Sequence, residues 1–168
     1  MLVTVKLLEA KEIPALVDAF APTVWKTPAE YFQWLLAKQQ KSERVFLLAY
    51  LGNHIAGFVT IKWQSGYPAF VEKGIPEIND LHVLPEFRRR GVAAALMDEA
   101  EQRAFERSPV VGLAVGLYAD YGPAQLMYNR RGYVLDGLGL FYENEPVKPG
   151  TSVFVDDNLL LYMTKERF

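Results

Sequence analysis

Between residues 77 and 107 the chain changes character twice within a few residues, and this limits what it can fold into. "EINDLHVL" alternates as a strand does, and "PEFRRRG" is a turn carrying three consecutive arginines. "VAAALMDEAEQRAF" then sets Ala93, Leu96, Met97, Ala100 and Ala104 on one helical face, with Asp98, Glu99, Gln102 and Arg103 on the other. A strand that passes through a short turn into an amphipathic helix commits this half of the chain to α/β packing.

The flanking segments extend that pattern. Residues 3–8 read as a strand, and Ile13, Leu16, Val17 and Phe20 fall at helical spacing. A second helix is expected over 28–41, with Thr27 as N-cap, Pro28 first and Glu30 completing a capping box. Two apolar runs around Gly52-Asn53 predict a tight hairpin, and "SGYPAFVEKGIP" reads as a loop. "VVGLAVGLY" suits a strand covered on both faces; Pro123 and Gly132 bracket a short helix; strands around a Pro/Gly excursion follow, ending with "NLLLYMTK". The expectation is one mixed α/β domain over residues 1–168.

Composition narrows the functional classes. A net charge of −2 is unlike a broad nucleic-acid or anionic-lipid surface, so an anion site must be local. With no cysteine and only His54 and His82, disulfides and thiolate nucleophiles are excluded and no metal centre is expected. Lys6 and Glu9 interrupt the first apolar run too early for a secretory signal, and no stretch approaches the roughly 20 apolar residues of a membrane span. A cytoplasmic location is therefore expected, without membrane or nucleic-acid partners.

A helix N-terminus offers unpaired N–H groups and partial positive charge, so the arginine turn is a candidate anion cradle as well as a candidate solvated turn. No G-K-[ST] follows it and the three-glycine dinucleotide spacing is absent. What remains is R-x-x-G-x-A between strand and helix.

That pattern resembles the acyl-CoA-binding motif of the GNAT superfamily of N-acetyltransferases, with Arg88, Gly91 and Ala93 at its signature positions. "AQLMYNRRGY" is similar to the A-x-x-x-Y-x-x-x-G-[FY] element of the family's next helix. The resemblance implies the GNAT fold, a mixed, mostly antiparallel central sheet flanked by helices and splayed between strands 4 and 5, with acetyl-CoA as co-substrate in the splay. It assigns the amides of Arg89, Arg90, Gly91, Val92 and Ala93 to the CoA pyrophosphate, with Arg88 at the signature position. Leu81 and Val83 pair with the pantetheine arm, and Ala124 and Tyr128 lie on the cofactor side of the later helix. Tyr121 stands where the family often has an asparagine, which leaves that contact open.

The implied reaction is acetyl transfer to a primary amine of a small molecule or peptide, by direct attack in a ternary complex; a non-catalytic acyl-CoA sensor is the alternative. An amine with a pKa of about 10.4 must lose a proton, and a thiol with a pKa of about 8.5 must leave. Tyr128 stands where the family places the donor to sulfur. Glu77 resembles the base of some members, while Asn79 holds the base position of others and cannot act as one; His82 and a water chain remain alternatives. Strict alternation puts Glu77, Asn79, Leu81 and Val83 on one strand face and Asp80 and His82 on the other. Phe20, Tyr31 and Trp34 are expected in the core, and Trp25 and Tyr67, in loops, as pocket lining. Family members range from monomer to dimer and beyond, so a monomer or homodimer is expected.

Overall fold

The structure, a computed structural model, describes residues 1–168. In chain order the elements are β1 (Val3–Leu7), α1 (Ile13–Phe20), α2 (Ala29–Gln40), β2 (Arg44–Leu51), β3 (His54–Lys62), α3 (Pro68–Lys73), β4 (Glu77–Val83), α4 (Val92–Arg107), β5 (Val110–Gly116), α5 (Gly122–Arg130), β6 (Val134–Leu135), β7 (Phe141–Tyr142), β8 (Glu145–Pro146) and β9 (Leu159–Glu166). The chain forms two compact units, residues 1–63 with 78–106, and residues 64–77 with 107–168.

In the first unit the strands run β1-β2-β3-β4. β1 and β2 pair antiparallel from Val3↔Leu51 to Leu7↔Leu47, and β2 and β3 form the expected hairpin from Arg44↔Lys62 to Leu51↔His54, turning at Gly52 with φ 61°. Phe46, Leu48 and Phe58 share one sheet face and pack with Leu16 and Phe20 of α1 and Phe32 and Leu35 of α2. The rings interlock: Phe46 stacks on Phe58 at 4.9 Å, and Phe20 and Phe32 meet Phe58 edge-on at 5.1 and 5.9 Å.

α2 begins at Ala29 with Pro28 as its N-cap in extended conformation. The expected capping box does not form: Thr27 Oγ1 donates instead to the Trp25 carbonyl at 2.7 Å, because the turn before the helix claims the hydroxyl.

The second unit carries β5-β9-β7-β8, with β6 also on β9. β5 and β9 pair antiparallel from Val110↔Glu166 to Gly116↔Leu160. The ladder sets Tyr162 among Tyr67, Phe70, Ile75 and Phe141, with Tyr67 stacked on Tyr162 at 3.6 Å. The expected loop at 65–76 contains α3. Pro68 opens this helix and Gly74 closes it in the left-handed region at φ 64°, so both residues delimit a helix where they first read as loop punctuation.

The observed architecture is the expected mixed α/β one, with mostly antiparallel strand pairing and flanking helices. No helix is long and apolar enough to cross a membrane.

Candidate acetyl-CoA site

β4 leads into the arginine turn through a bend in its own course. Asp80 has φ 52°, a left-handed conformation in mid-strand that breaks the two-residue alternation. Asn79 Oδ1 accepts from Thr60 Oγ1, and the Tyr31 hydroxyl reaches Asp80 Oδ2 at 3.4 Å. His82 packs on the rings of Phe58 and Trp25 at 5.0 and 5.1 Å. Adjacent residues 79 and 80 thus both find partners on the sheet side covered by α1 and α2, where strict alternation would separate them. Gly57 of β3 admits this course: a Cβ there would stand 2.4 Å from the His82 carbonyl oxygen.

After buried Leu84, the chain makes one tight turn over Pro85–Phe87, extends at Arg88, enters the left-handed region at Arg89 (φ 57°) and again at Gly91 (φ 82°), and begins α4 at Val92. Left-handed backbone costs a non-glycine residue roughly 1–2 kcal/mol, so the Arg89 conformation is a strained one. No backbone N–H group from Arg89 to Ala94 makes a well-formed hydrogen bond within the protein, only the loose approach of a turn over 88–91; Ala95, bonded to the Gly91 carbonyl at 3.0 Å, is the first that does. Amides left open at a turn and a helix start are a candidate anion cradle.

Gly91 is required for its φ rather than for room, because a Cβ there would meet nothing within 4 Å. The three arginines are exposed and in no ion pair. Two are steadied by rings: the Arg88 guanidinium lies 5.3 Å from Trp25 and donates from Nε to the Val83 carbonyl at 3.3 Å, and Arg90 lies 5.8 Å from Phe87.

The second unit holds the other expected residues. Tyr128 of α5 is 8% exposed, sits edge-on to Tyr133 at 5.9 Å, and has its phenol pushed up to about 12 by burial. Half-buried Ala124 lies one turn earlier. The Tyr121 ring covers Gly116, where a Cβ would come within 2.3 Å of it. Its hydroxyl donates to Asp157 Oδ1 at 2.8 Å, and the Tyr118 hydroxyl donates to the same oxygen. Burial, then the bond to Asp157, raises the Tyr121 phenol above its ordinary range. Glu77 is buried and accepts from Ser65 Oγ at 2.6 Å, and Ser65 Oγ in turn accepts from the Tyr67 amide at 2.9 Å. Nowhere do three or more His, Asp or Glu side chains gather so as to hold a metal ion.

The sequence profile of the Acetyltransferase (GNAT) family matches residues 11–133. The chain belongs to the GNAT acetyltransferase family. An uncharacterized N-acetyltransferase from Archaeoglobus fulgidus is 33% identical over 92 residues, covering 55% of this chain and 60% of that relative. The chain thus matches about three-fifths of that relative's length. Among solved structures, a GNAT-family acetyltransferase from Streptococcus pneumoniae superposes with a TM-score of 0.69 at 19% identity, covering 99% of this chain and 100% of the other. A PaiA N-acetyltransferase from Thermoplasma acidophilum, solved in complex with coenzyme A, gives 0.67 at 14% identity, covering 99% and 100%. At these identities the superpositions show the shared GNAT fold.

Within this GNAT chain the first unit gathers Leu81, Val83 and Arg88 to Ala93 on one strand, turn and helix, and the second gathers Tyr121, Ala124 and Tyr128 on one segment. Two expectations about aromatic residues are corrected. Tyr67 is 1% exposed and part of the second core, because it is the N-cap residue of α3 and its ring is held against Tyr162. Tyr31 and Trp34, expected in the core, are 38% and 44% exposed, because Phe32 and Leu35 take the inward positions of α2. The Ser65–Glu77 and Tyr118–Asp157–Tyr121 groups had no local signal in the sequence; a serine before a Gly-Tyr-Pro turn and paired aspartates before the last strand are ordinary loop chemistry.

Proposed function

We propose that this GNAT chain transfers an acetyl group from acetyl-CoA to a primary amine by direct attack in a ternary complex. The observation that carries the proposal is the run of amides without a well-formed hydrogen bond from Arg89 to Ala94, beside three arginines in no ion pair. A diphosphate brings the oxygen acceptors and the negative charge that this cradle is built to receive. The relative solved with coenzyme A supports the same ligand. In this reading Arg88, Arg89, Arg90, Gly91, Val92 and Ala93 hold the pyrophosphate, Leu81 and Val83 pair with the pantetheine arm, and Tyr121, Ala124 and Tyr128 contribute from the second unit.

In the transfer, the amine nitrogen bonds to the thioester carbonyl carbon and the C–S bond breaks. The amine's proton goes to Glu77, through the carboxylate oxygen that Ser65 does not occupy, or to a water chain. Tyr128 serves the departing sulfur. A phenol held at about 12 is a weaker acid than a thiol near 8.5. Its contribution is therefore a hydrogen bond to sulfur as charge develops, with the proton finally supplied by solvent.

Calorimetry with CoA and a thiol-release assay across amine classes test the proposal. A β-branched residue is strained at φ 82°, so Gly91→Val is expected to weaken CoA binding by about tenfold or more. Undiminished binding would remove the cradle from the reading. Tight acetyl-CoA binding without thiol release from any amine would leave an acyl-CoA-binding protein that is not an enzyme.

A further inference from the structure

The exposed aromatic pair on α2 is not explained by folding. Tyr31 and Trp34 stack at 5.8 Å on the water side of the helix. Arg44 of β2 lies over the Trp34 ring at 5.0 Å and Lys38 at 5.8 Å. Lys38 is neutralised by Glu43 at 2.6 Å, but Arg44 is in no ion pair. Lys62 is directly opposite Arg44 across the hairpin, so it projects from the same face, and it too is in no ion pair. On the other side of Tyr31 stands the Asp80 carboxylate, with the single long hydrogen bond from Tyr31 and no cation on it. One surface of the first unit therefore shows a carboxylate, an aromatic wall and two cations held in no ion pair, in that order.

We propose that this surface selects the acceptor, and that the acceptor is a primary amine carrying its own carboxylate. The ammonium end lies toward Asp80, the body of the molecule against Tyr31 and Trp34, and the carboxylate on Arg44 and Lys62. The inference rests on the acetyl-transfer reading, because Asp80 precedes Leu81, the residue there assigned to the pantetheine arm. An ammonium at Asp80 thus lies on the strand that this reading assigns to the acyl donor. Opposite charges at its two ends give such a molecule one orientation on this surface, while a polycation would set ammonium groups against Arg44 and Lys62.

The test compares glutamate and glycyl-glutamate with glutamine amide and glycyl-glutamine amide, and adds spermidine as a polycation, all by thiol release. The carboxylate-bearing member of each pair is expected to have about a tenfold higher kcat/KM. Arg44→Gln and Lys62→Gln should each shrink that advantage while leaving CoA affinity unchanged. Whether glutamate or the dipeptide is faster decides between a free amino acid and a peptide terminus. Equal rates within the pairs, a preference for spermidine, or an advantage that survives in Arg44→Gln would overturn the inference. If no amine releases thiol, the same pairs are titrated calorimetrically into the CoA-loaded protein. A carboxylate preference lost in Arg44→Gln would uphold the surface and sink the transfer reading; no preference would sink the surface.

Discussion

The two units bury aromatic rings by different chemistry. The first packs Phe20, Phe32, Phe46 and Phe58, which carry no polar atom, between a sheet and two helices. The second packs Tyr67 and Tyr162 face to face among Phe70 and Phe141. Its hydroxyls must be satisfied: Tyr67 donates to Asp136 at 2.6 Å and Tyr162 to Asn144 at 3.3 Å. The candidate site divides along similar lines, with main-chain amides in the first unit and the Tyr128 and Tyr121 phenols in the second. The first unit depends on shape, and the second on shape and protons together. The residues themselves allow the two to be followed separately, because Trp25, Trp34 and Trp63 all lie in the first unit and seven of the nine tyrosines in the second.

The largest expected effect is on the phenylalanine core. Phe58→Ala removes the ring that Phe20, Phe32 and Phe46 all touch and should cost about 4 kcal/mol in urea unfolding followed by tryptophan fluorescence. A loss below about 1 kcal/mol, the range of a repacked swap, would mean this core is not close-packed. Next comes Gly112→Ala in the second unit. Its Cβ would fall 2.3 Å from the Phe70 ring, itself 1% exposed and unable to move aside. A loss of about 3 kcal/mol is expected, read by tyrosine absorbance.

The third effect concerns chemistry rather than stability. Tyr128→Phe keeps the packing and removes the hydroxyl, so kcat should fall roughly 100-fold while CoA affinity and urea midpoint hold. An unchanged kcat would leave Tyr128 as a core residue of the second unit and nothing more.

The same division explains what could be read from the sequence. A candidate cradle made of backbone leaves its trace in spacing, because Gly91 stands at φ 82°, where few other residues are at ease. Gly91 therefore stood out, with Arg88 and Ala93 at fixed distances from it, as did the apolar period of α4. The bend at Asp80 left no trace, since an aspartate within an alternating strand looks like any outward-facing residue until its φ is known. α3 was hidden because Pro68 and Gly74 punctuate loops and helices alike. The Tyr67–Asp136 and Tyr118–Asp157 bonds join residues 69 and 39 positions apart, and no local pattern encodes a pairing at that range. Trp34 misled in the opposite direction: large aromatics at helical spacing ordinarily face the core, and this one faces water beside Arg44.

The smallest effect tests the comparison most directly. Burial, followed by the charges of Glu77 and Asp136, pushes the Tyr162 phenol up to about 12, and burial together with the bond to Asp136 raises Tyr67 further. In the unfolded chain both lose their protons near 10. Below that pH the phenols are neutral in both states and the stabilisation is fully present. Above it the unfolded chain ionises first, and the stabilisation drains away as pH rises toward 12. Tyr50, whose hydroxyl donates to Glu12 at 2.8 Å, is also pushed to about 12, but it borders the first core rather than forming it. Between pH 10 and 12 tyrosine absorbance should therefore report loosening of the second unit before tryptophan fluorescence reports any change in the first. Tyr67→Phe should cost about 2 kcal/mol at neutral pH, by leaving Asp136 Oδ2 without its donor while the Leu138 amide keeps Oδ1, and should flatten the alkaline decline. If tryptophan fluorescence moves first, the phenols are not what makes the second unit sensitive to base, and the contrast between a core of shape and a core of protons fails.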